Sequence, residues 1–333
     1  MKKQIFLLLA AVLLSTSAYA KLPDLIPYRK GDLWGYSDSL KNIKIACQYD
    51  IVQNFSDGFA AVYLNDKWGF INKTGQQVVP CVYDVVWDFR DGLAAVELNG
   101  KYGFIDKTGQ QVVPCVYGVV RDFSDGLAMV ELNGKRGFID KTGQQVVPCV
   151  YDGVEYFRDG LAQVRLNGKQ GFIDKTGQQV IPCIYDDVRG FSEGLAGVNL
   201  NGKWGFIDKT GQQVIPCVYD GVEYFSDGLA RVELNGKWGI INKEGQQVIP
   251  CVYDDIGGFT YLNWNLTLTF TLPITEVRIG DLQTGKYGLI NITGKQIVPC
   301  LYDEIEFKSM CVIKNNGNIV GYVSYNGTVY FED

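Results

Sequence analysis

The sequence predicts an all-β chain of tandem repeats, each about three short antiparallel strands. Three observations carry this. The string Lys-Thr-Gly-Gln-Gln-Val recurs at Lys73, Lys107, Lys141, Lys175 and Lys209, always at the same interval. Asn-Gly or a close relative interrupts apolar alternation in the units, as in Leu98-Asn99-Gly100-Lys101. A two-residue hairpin turn wants positive φ at both positions, which these residues accept. A proline stands in each unit from Pro80 to Pro299, and a helix interior does not tolerate one. The period, about 34 residues, also occurs in helical repeats, so the residues decide and the period does not.

Taken in chain order, Lys2 and Lys3, the apolar run Ile5 to Leu14, and Ala18-Tyr19-Ala20 have the three parts of a secretory signal peptide. Residues 1–20 are therefore expected to be removed, giving an exported protein, periplasmic or extracellular. The apolar run is about half the roughly 20 residues that a bilayer crossing needs. No later segment is long and apolar enough, so no transmembrane segment is expected after cleavage. Residues 21–333 then form a single repeat array. The first residue of the aromatic-glycine pair marks its register: Trp34, Trp68, Tyr102, Arg136, Gln170, Trp204, Trp238 and Tyr287, with a ninth, degenerate unit at Val320-Gly321. In a representative unit the strands are expected at Leu93–Leu98, Lys101–Asp106 and Gln111–Pro114, with a second turn at Lys107-Thr108-Gly109. The step from Trp238 to Tyr287 is longer than every step before it. This places an insertion at about 257–282, where Leu266, Leu268, Phe270 and Leu272 alternate with threonines as in a half-buried strand. Residues 21–50 and 303–333 are degenerate and are the expected caps, since the ends of a stacked array have no neighbour.

Composition excludes several classes of chemistry. Histidine is absent, which removes imidazole bases and ligands and the Ser-His-Asp and Cys-His arrangements. Acidic residues outnumber basic ones, 37 to 31, for a net charge of −6, or −8 once Lys2 and Lys3 leave. That balance argues against a nucleic-acid partner. Eight of nine cysteines recur one per unit, at Cys47, Cys81, Cys115, Cys149, Cys183, Cys217, Cys251 and Cys300, with Cys311 apart. Small buried apolar residues are expected there, because equivalent sites on successive units lie too far apart for a disulfide and no ligand cluster occurs. No cofactor and no metal are expected. Asp57, Asp91, Asp125, Asp159, Glu193 and Asp227 all precede glycine, and Asp84, Asp152, Asp186, Asp220, Asp254 and Asp303 all follow tyrosine. Such repetition points to turn and backbone hydrogen bonding. Glu276 and Asp281 are the acids that stand outside the repeat, too weak a pair for a glycan-cleaving enzyme.

The turn sets the register. With Asn99-Gly100 as the turn, Leu98 faces Lys101, Glu97 faces Tyr102 and Ala95 faces Phe104. Alternation puts Glu97, Tyr102, Ala95 and Phe104 on one side, and Ala94, Val96, Gly103 and Ile105 on the other. Compared from unit to unit, Ala94, Val96 and Leu98 scarcely vary, whereas the sites of Ala95, Glu97 and Tyr102 do. The pairs are Tyr63 with Trp68, Glu97 with Tyr102, Glu131 with Arg136, Arg165 with Gln170, Asn199 with Trp204, and Glu233 with Trp238. These residues and Tyr287 are the candidate binding residues. The variable side is either a drifting solvent face or a recognition strip anchored by its aromatics.

The segments Lys67-Trp68-Gly69-Phe70-Ile71, Pro80-Cys81-Val82-Tyr83-Asp84 and Phe89-Arg90-Asp91-Gly92-Leu93-Ala94 resemble the WG-repeat family. The resemblance runs from about residue 31 to the C-terminus. It implies a bacterial β-repeat array with a binding role and no shared catalytic activity. Tyr102, Arg136, Gln170 and Tyr287 depart from its tryptophan. A three-stranded unit of this length is short for a propeller blade, so an open stacked or superhelical array is expected, with a closed propeller-like ring as the alternative. The expected function is non-catalytic recognition of a protein or an envelope polysaccharide. A self-associating structural protein is the alternative, and a glycan-active enzyme comes last.

Overall fold

A computed structural model describes residues 23–257, 274–307, 310–324 and 327–330, and every regular element among them is a β-strand. The signal-peptide expectation and the Leu266–Leu272 strand lie outside these residues. The chain divides into two compact units.

The first unit holds residues 23–123 with 141–143. It contains a three-stranded sheet (Ile26–Lys30, Leu33–Ser37, Ile43–Tyr49) and two four-stranded sheets, over 51–83 and 85–117. The second unit contains the strands Leu127–Leu132, Lys135–Asp140 and Gln145–Tyr151. Four four-stranded sheets follow, over 153–185, 187–219, 221–253 and 255–302, and then a three-stranded sheet over 304–323. In the representative unit the strands Leu93–Leu98 and Lys101–Asp106 are those the sequence predicts, whereas the third runs on past the expected Pro114 to Tyr117. In the four-stranded sheets a two-residue strand precedes the long ones, such as Asp187–Val188, where the sequence suggests only a connection.

One sheet shows why the residues fold this way. Leu195–Leu200 and Lys203–Asp208 pair antiparallel across Asn201-Gly202, with Leu200 opposite Lys203 and Asn199 opposite Trp204. Asn201 and Gly202 sit at φ +55° and +80°, as a twist-matched hairpin turn requires. The last strand, Gln213–Tyr219, pairs Tyr219 with Trp204 but Ile215 with Phe206. The strand therefore bulges between these pairs, and the bulge includes Pro216 and Cys217. It crosses over Gly205, where a Cβ would lie 2.5 Å from the Ile215 carbonyl oxygen. The glycine of the aromatic-glycine pair is thus a steric requirement. Proline fits because this strand lies at the sheet edge, where its missing N–H leaves no ladder bond unmade. The next turn is closed by Asp208, whose carboxylate accepts from the Thr210 amide at 2.8 Å, its hydroxyl at 2.7 Å and the Gln212 amide at 3.0 Å.

The core lies between sheets, so both sides of a sheet are covered. Ala196, Val198 and Ile207 pack on Phe172, Ile181 and Tyr185 of the preceding sheet. Phe206, Ile215 and Tyr219 pack on Ala230, Val232 and Ile241 of the following one. Small and large side chains thus alternate from face to face, which lets successive sheets close without voids. This corrects the reading of one core side and one solvent or recognition side. Ala95 and Phe104, assigned to the variable side, are 6% and 2% exposed.

The extra length of the unit with Tyr287 falls in two places. Ile256 pairs with Val277, whereas the equivalent Val222 pairs with the much nearer Val232. The turn between Ile279 and Lys286 is also longer than the usual Asn-Gly turn, and Asp281 ties its start by accepting from the Gln283 and Thr284 amides.

Candidate functional site

Most polar groups of the repeat are committed to the fold. Carboxylates that follow the last-strand tyrosines, such as Asp186 and Asp220, reach forward into the next sheet. Asp186 accepts from the Asn201 amide and Asp220 from the Asn235 amide, at 2.7 and 2.6 Å, while Lys169 and Lys203 donate to the same carboxylates. These contacts hold Asp186 and Asp220 below the usual carboxylate range, the lysine contributing most. At the opposite ends of the strands, Lys107 pairs with Asp57 and Lys175 with Asp125, each acid lying in an earlier unit. Asp186 and Asp220 therefore do the backbone work that the repetition implied, while Asp57 and Asp125 hold lysines from a later repeat.

The in-register cysteines are equally committed. Each sits in the bulge with its Sγ over a first-strand carbonyl, for example Cys217 to Val198 at 3.7 Å. All nine thiols are free. Burial raises the pKa of the Cys81, Cys217 and Cys251 thiols, and pushes that of Cys311 up to about 12. A thiol kept protonated in this way is a poor nucleophile.

What remains, in each compact unit taken by itself, is a strip along the turn-proximal ends of its sheets. The candidate pairs are found as the sequence placed them: Tyr63 faces Trp68, Glu97 faces Tyr102, Arg165 faces Gln170, Asn199 faces Trp204 and Glu233 faces Trp238. Glu131 and Arg136 meet as an ion pair at 3.1 Å. Tyr287 faces Arg278. The rings of Tyr63 and Trp68 lie 5.0 Å apart. The tryptophans are not free anchors, however. Trp68, Trp204 and Trp238 are half-buried and pack against the cores beneath them. Each of these cores includes a residue from the two-residue strand of the following sheet: Val86, Val222 and Ile256 respectively.

Unit-to-unit comparison of the connecting segments would have added a set of residues the sequence reading missed. These lie on and just after the short strand, and they change from unit to unit as the paired columns do. The Trp87 and Tyr102 rings meet in a tilted arrangement, their centres 5.4 Å apart. Arg189 is sandwiched between Trp204 and Tyr224, at 5.1 and 5.6 Å from the ring centres. Glu223 pairs with Arg231, whose guanidinium also lies over Trp238. Trp87, Tyr156 and Tyr224 are 41%, 45% and 53% exposed, so the accessible aromatics of the strip are these. A cavity of about 160 Å³ opens where Gln170 replaces the aromatic, lined by Arg136, Glu155, Gln163, Arg165 and Gln170 with the backbone of Gly153. The second edge of each sheet carries a plainer surface. Val82, Val116, Ile184 and Val218 are exposed there at one repeated position, beside the edge prolines.

The two outlying acids have different surroundings. Asp281 caps its turn, whereas Glu276 has Asp255, Arg278 and Glu304 as its charged neighbours. Among the described residues no group of three or more His, Cys, Asp or Glu is placed to hold a metal ion, and no helix is long and apolar enough to cross a membrane.

Among solved structures, the chain is similar to Kluyveromyces lactis Hsv2p, at 10% identity, 72% of this chain, 97% of that one and a TM-score of 0.30. It is similar to the AfRom2 CNH domain at 7% identity, 69% and 91% coverage and a TM-score of 0.29. Neither likeness carries an argument about function. No curated protein is matched. The family model of the WG containing repeat matches residues 34–68, 68–102, 102–135, 137–169, 171–204, 204–238, 238–261 and 287–320. The two boundaries that skip a residue skip Arg136 and Gln170, where the aromatic is lost. With these matches covering most of the chain, each built on the same bulged aromatic-glycine hairpin, the chain belongs to the family of the WG containing repeat.

Proposed function

We propose that this protein is an exported, non-catalytic binding protein that recognises an envelope polysaccharide or protein through the variable strip. One observation carries the reading. Sheets that are otherwise near-copies differ along the strip in charge, size and aromaticity, while their acids, lysines and thiols are committed to turns, ion pairs and bulges. A surface varied on a constant scaffold suits recognition better than chemistry. The exposed aromatics Trp87, Tyr156 and Tyr224 are suitable contact residues, being large, amphipathic and already half-ordered by packing. Self-association through sheet edges is the weaker reading, because exposed prolines on the last strands of six sheets, from Pro80 to Pro250, oppose edge-to-edge pairing.

The test is affinity capture of envelope extract on the immobilised protein, beside a variant with Trp87→Ser, Tyr156→Ser and Tyr224→Ser. These side chains are exposed, so the variant is expected to keep the wild-type circular dichroism. A polysaccharide or protein held by the first column and lost from the second supports the strip. The same material on both columns moves recognition off the strip.

A further inference from the structure

Arg165 occupies the column that holds Tyr63, Glu97, Glu131, Asn199 and Glu233 in other sheets. Arg136 pairs with Glu131, Arg231 with Glu223, and Arg189 lies between two rings. Among the described residues no ion pair engages Arg165, in a chain where acids outnumber bases 37 to 31.

The residue opposite explains this. Gly153 pairs with Arg165 as Asp255 pairs with Arg278. In the latter pair the acid supplies a partner, at 3.9 Å. At Gly153 the acid is missing. A Cβ there would lie 3.7 Å from both Nε and Nη2 of Arg165. That is the guanidinium edge that takes a carboxylate with two parallel hydrogen bonds, and the absent side chain leaves it open.

The space beside it has an equally specific origin. The other sheet with glycine in this column has Gly221 next to Trp238, whose Cη2 would be 3.8 Å from an added Cβ. Next to Gly153 the aromatic is replaced by Gln170, which leaves the cavity of about 160 Å³. A cavity of roughly 150 Å³ holds one six-membered ring. Gln163 and Gln170 offer amides, joined to each other at 2.6 Å, and Glu155 offers a carboxylate. Such groups donate to and accept from hydroxyls.

We propose that this pocket binds one carboxylate-bearing sugar residue, with Arg165 taking the carboxylate in place of the missing acid at 153 and the amides and Glu155 taking the hydroxyls. The proposal rests on the strip being a recognition surface and names one ligand class for it.

Calorimetric titration of the whole protein with galacturonate and with galactose tests it. Galacturonate is expected to bind at least tenfold more tightly, and less tightly as salt is raised. Arg165→Met should lose tenfold or more. So should Gly153→Asp, which supplies an internal partner, and Gln170→Trp, which refills the cavity as the column does at Trp204 and Trp238. Unchanged circular dichroism and Tm establish that the variants fold. Equal binding of galactose, wild-type affinity in Arg165→Met, or no galacturonate binding at millimolar concentration overturns the proposal. The capture experiment alters Trp87, Tyr156 and Tyr224 and not this pocket, so the strip reading stands or falls separately.

Discussion

The carboxylate of Asp220 accepts the backbone amide of Asn235 at 2.6 Å, fastening one sheet to the hairpin turn of the next. Lys203 holds the same carboxylate from its own sheet. The turn residue sits at φ +53°, and its amide points out of the hairpin, where no ladder bond is available to it. The repeated Tyr-Asp is therefore a coupling between successive units, in an architecture whose stability comes from nearest neighbours.

Replacing Asp220 by alanine should lower the urea midpoint of unfolding, because it leaves both the Asn235 amide and Lys203 without their acceptor. Asp220→Asn should lower it less, since the amide oxygen can still accept. The pH dependence has a defined sign. The Asp220 carboxyl is held below its ordinary range by Lys203 and then by the Asn235 amide. Its contribution is present above the unfolded-state value and is lost as pH falls below about 4. The asparagine variant should lack that part of the acid destabilisation. Parallel loss in both proteins between neutral pH and pH 3 would rule out this role.

Gly118 interrupts the coupling row, standing after Tyr117 where the other units, from Asp50 to Asp303, have aspartate. Lys101 precedes it by the same separation that joins Lys67 to Asp84. Gly118→Asp should give Lys101 a partner and raise stability by about 0.2–1 kcal/mol, the worth of an exposed pair, aided by the stiffer backbone. The gain should shrink in high salt, which separates the ion pair from the backbone effect.

The pair Trp204-Gly205 divides its work unequally. An alanine at 205 would push a Cβ to 2.5 Å from the Ile215 carbonyl oxygen and 2.7 Å from the Cys217 nitrogen. Both are backbone atoms that cannot turn aside, so Gly205→Ala should cost about 3 kcal/mol or more. Trp204→Gln removes a half-buried ring and its contact with Arg189 and should cost about 1–2 kcal/mol. Urea denaturation of the two variants gives the order. A costlier tryptophan change would mean that the ring, and not the backbone crossing, defines the repeat. The chain has made this substitution itself, at Arg136 and Gln170, whereas the glycine is kept in every unit from Gly35 to Gly288.

Much of the sheet was legible because hairpin register is a local property. Asn99-Gly100 fixes the facing of Glu97 and Tyr102, and alternation does the rest. The short strand was not legible, because a pair such as Asp187 and Val188 carries no periodicity. Missing it mattered for the site. Arg189 follows that strand and lies over the Trp204 ring, while the short strand of the next sheet adds Val222 to the core beneath Trp204 and precedes Tyr224. The burial of Phe104 was also hidden, since a repeat read alone shows one apolar side and only stacking supplies the second. The cavity beside Arg165 depends on Gly153 and Gln170, which stand on different strands and are ordinary residues when read singly.

Glu276 gives a pH effect of the opposite sign to Asp220. It stands on the strand Ile274–Ile279, opposite Leu289. Burial, then the nearby Asp255, with Glu304 adding and Arg278 opposing, raises its pKa to about 7. Its unfolded-state value is about 4.3. Between these values the folded protein binds the extra proton, so stability falls as pH rises from about 4.3 to 7 and levels above that. Glu276→Gln imitates the protonated form and should escape the loss. At pH 8 the variant should be more stable than wild type by on the order of 2 kcal/mol, and at pH 4.5 the two should nearly agree. Urea midpoints at the two pH values decide it. An equal difference at both would mean that the Glu276 carboxyl titrates at its ordinary value and that burial has not shifted it.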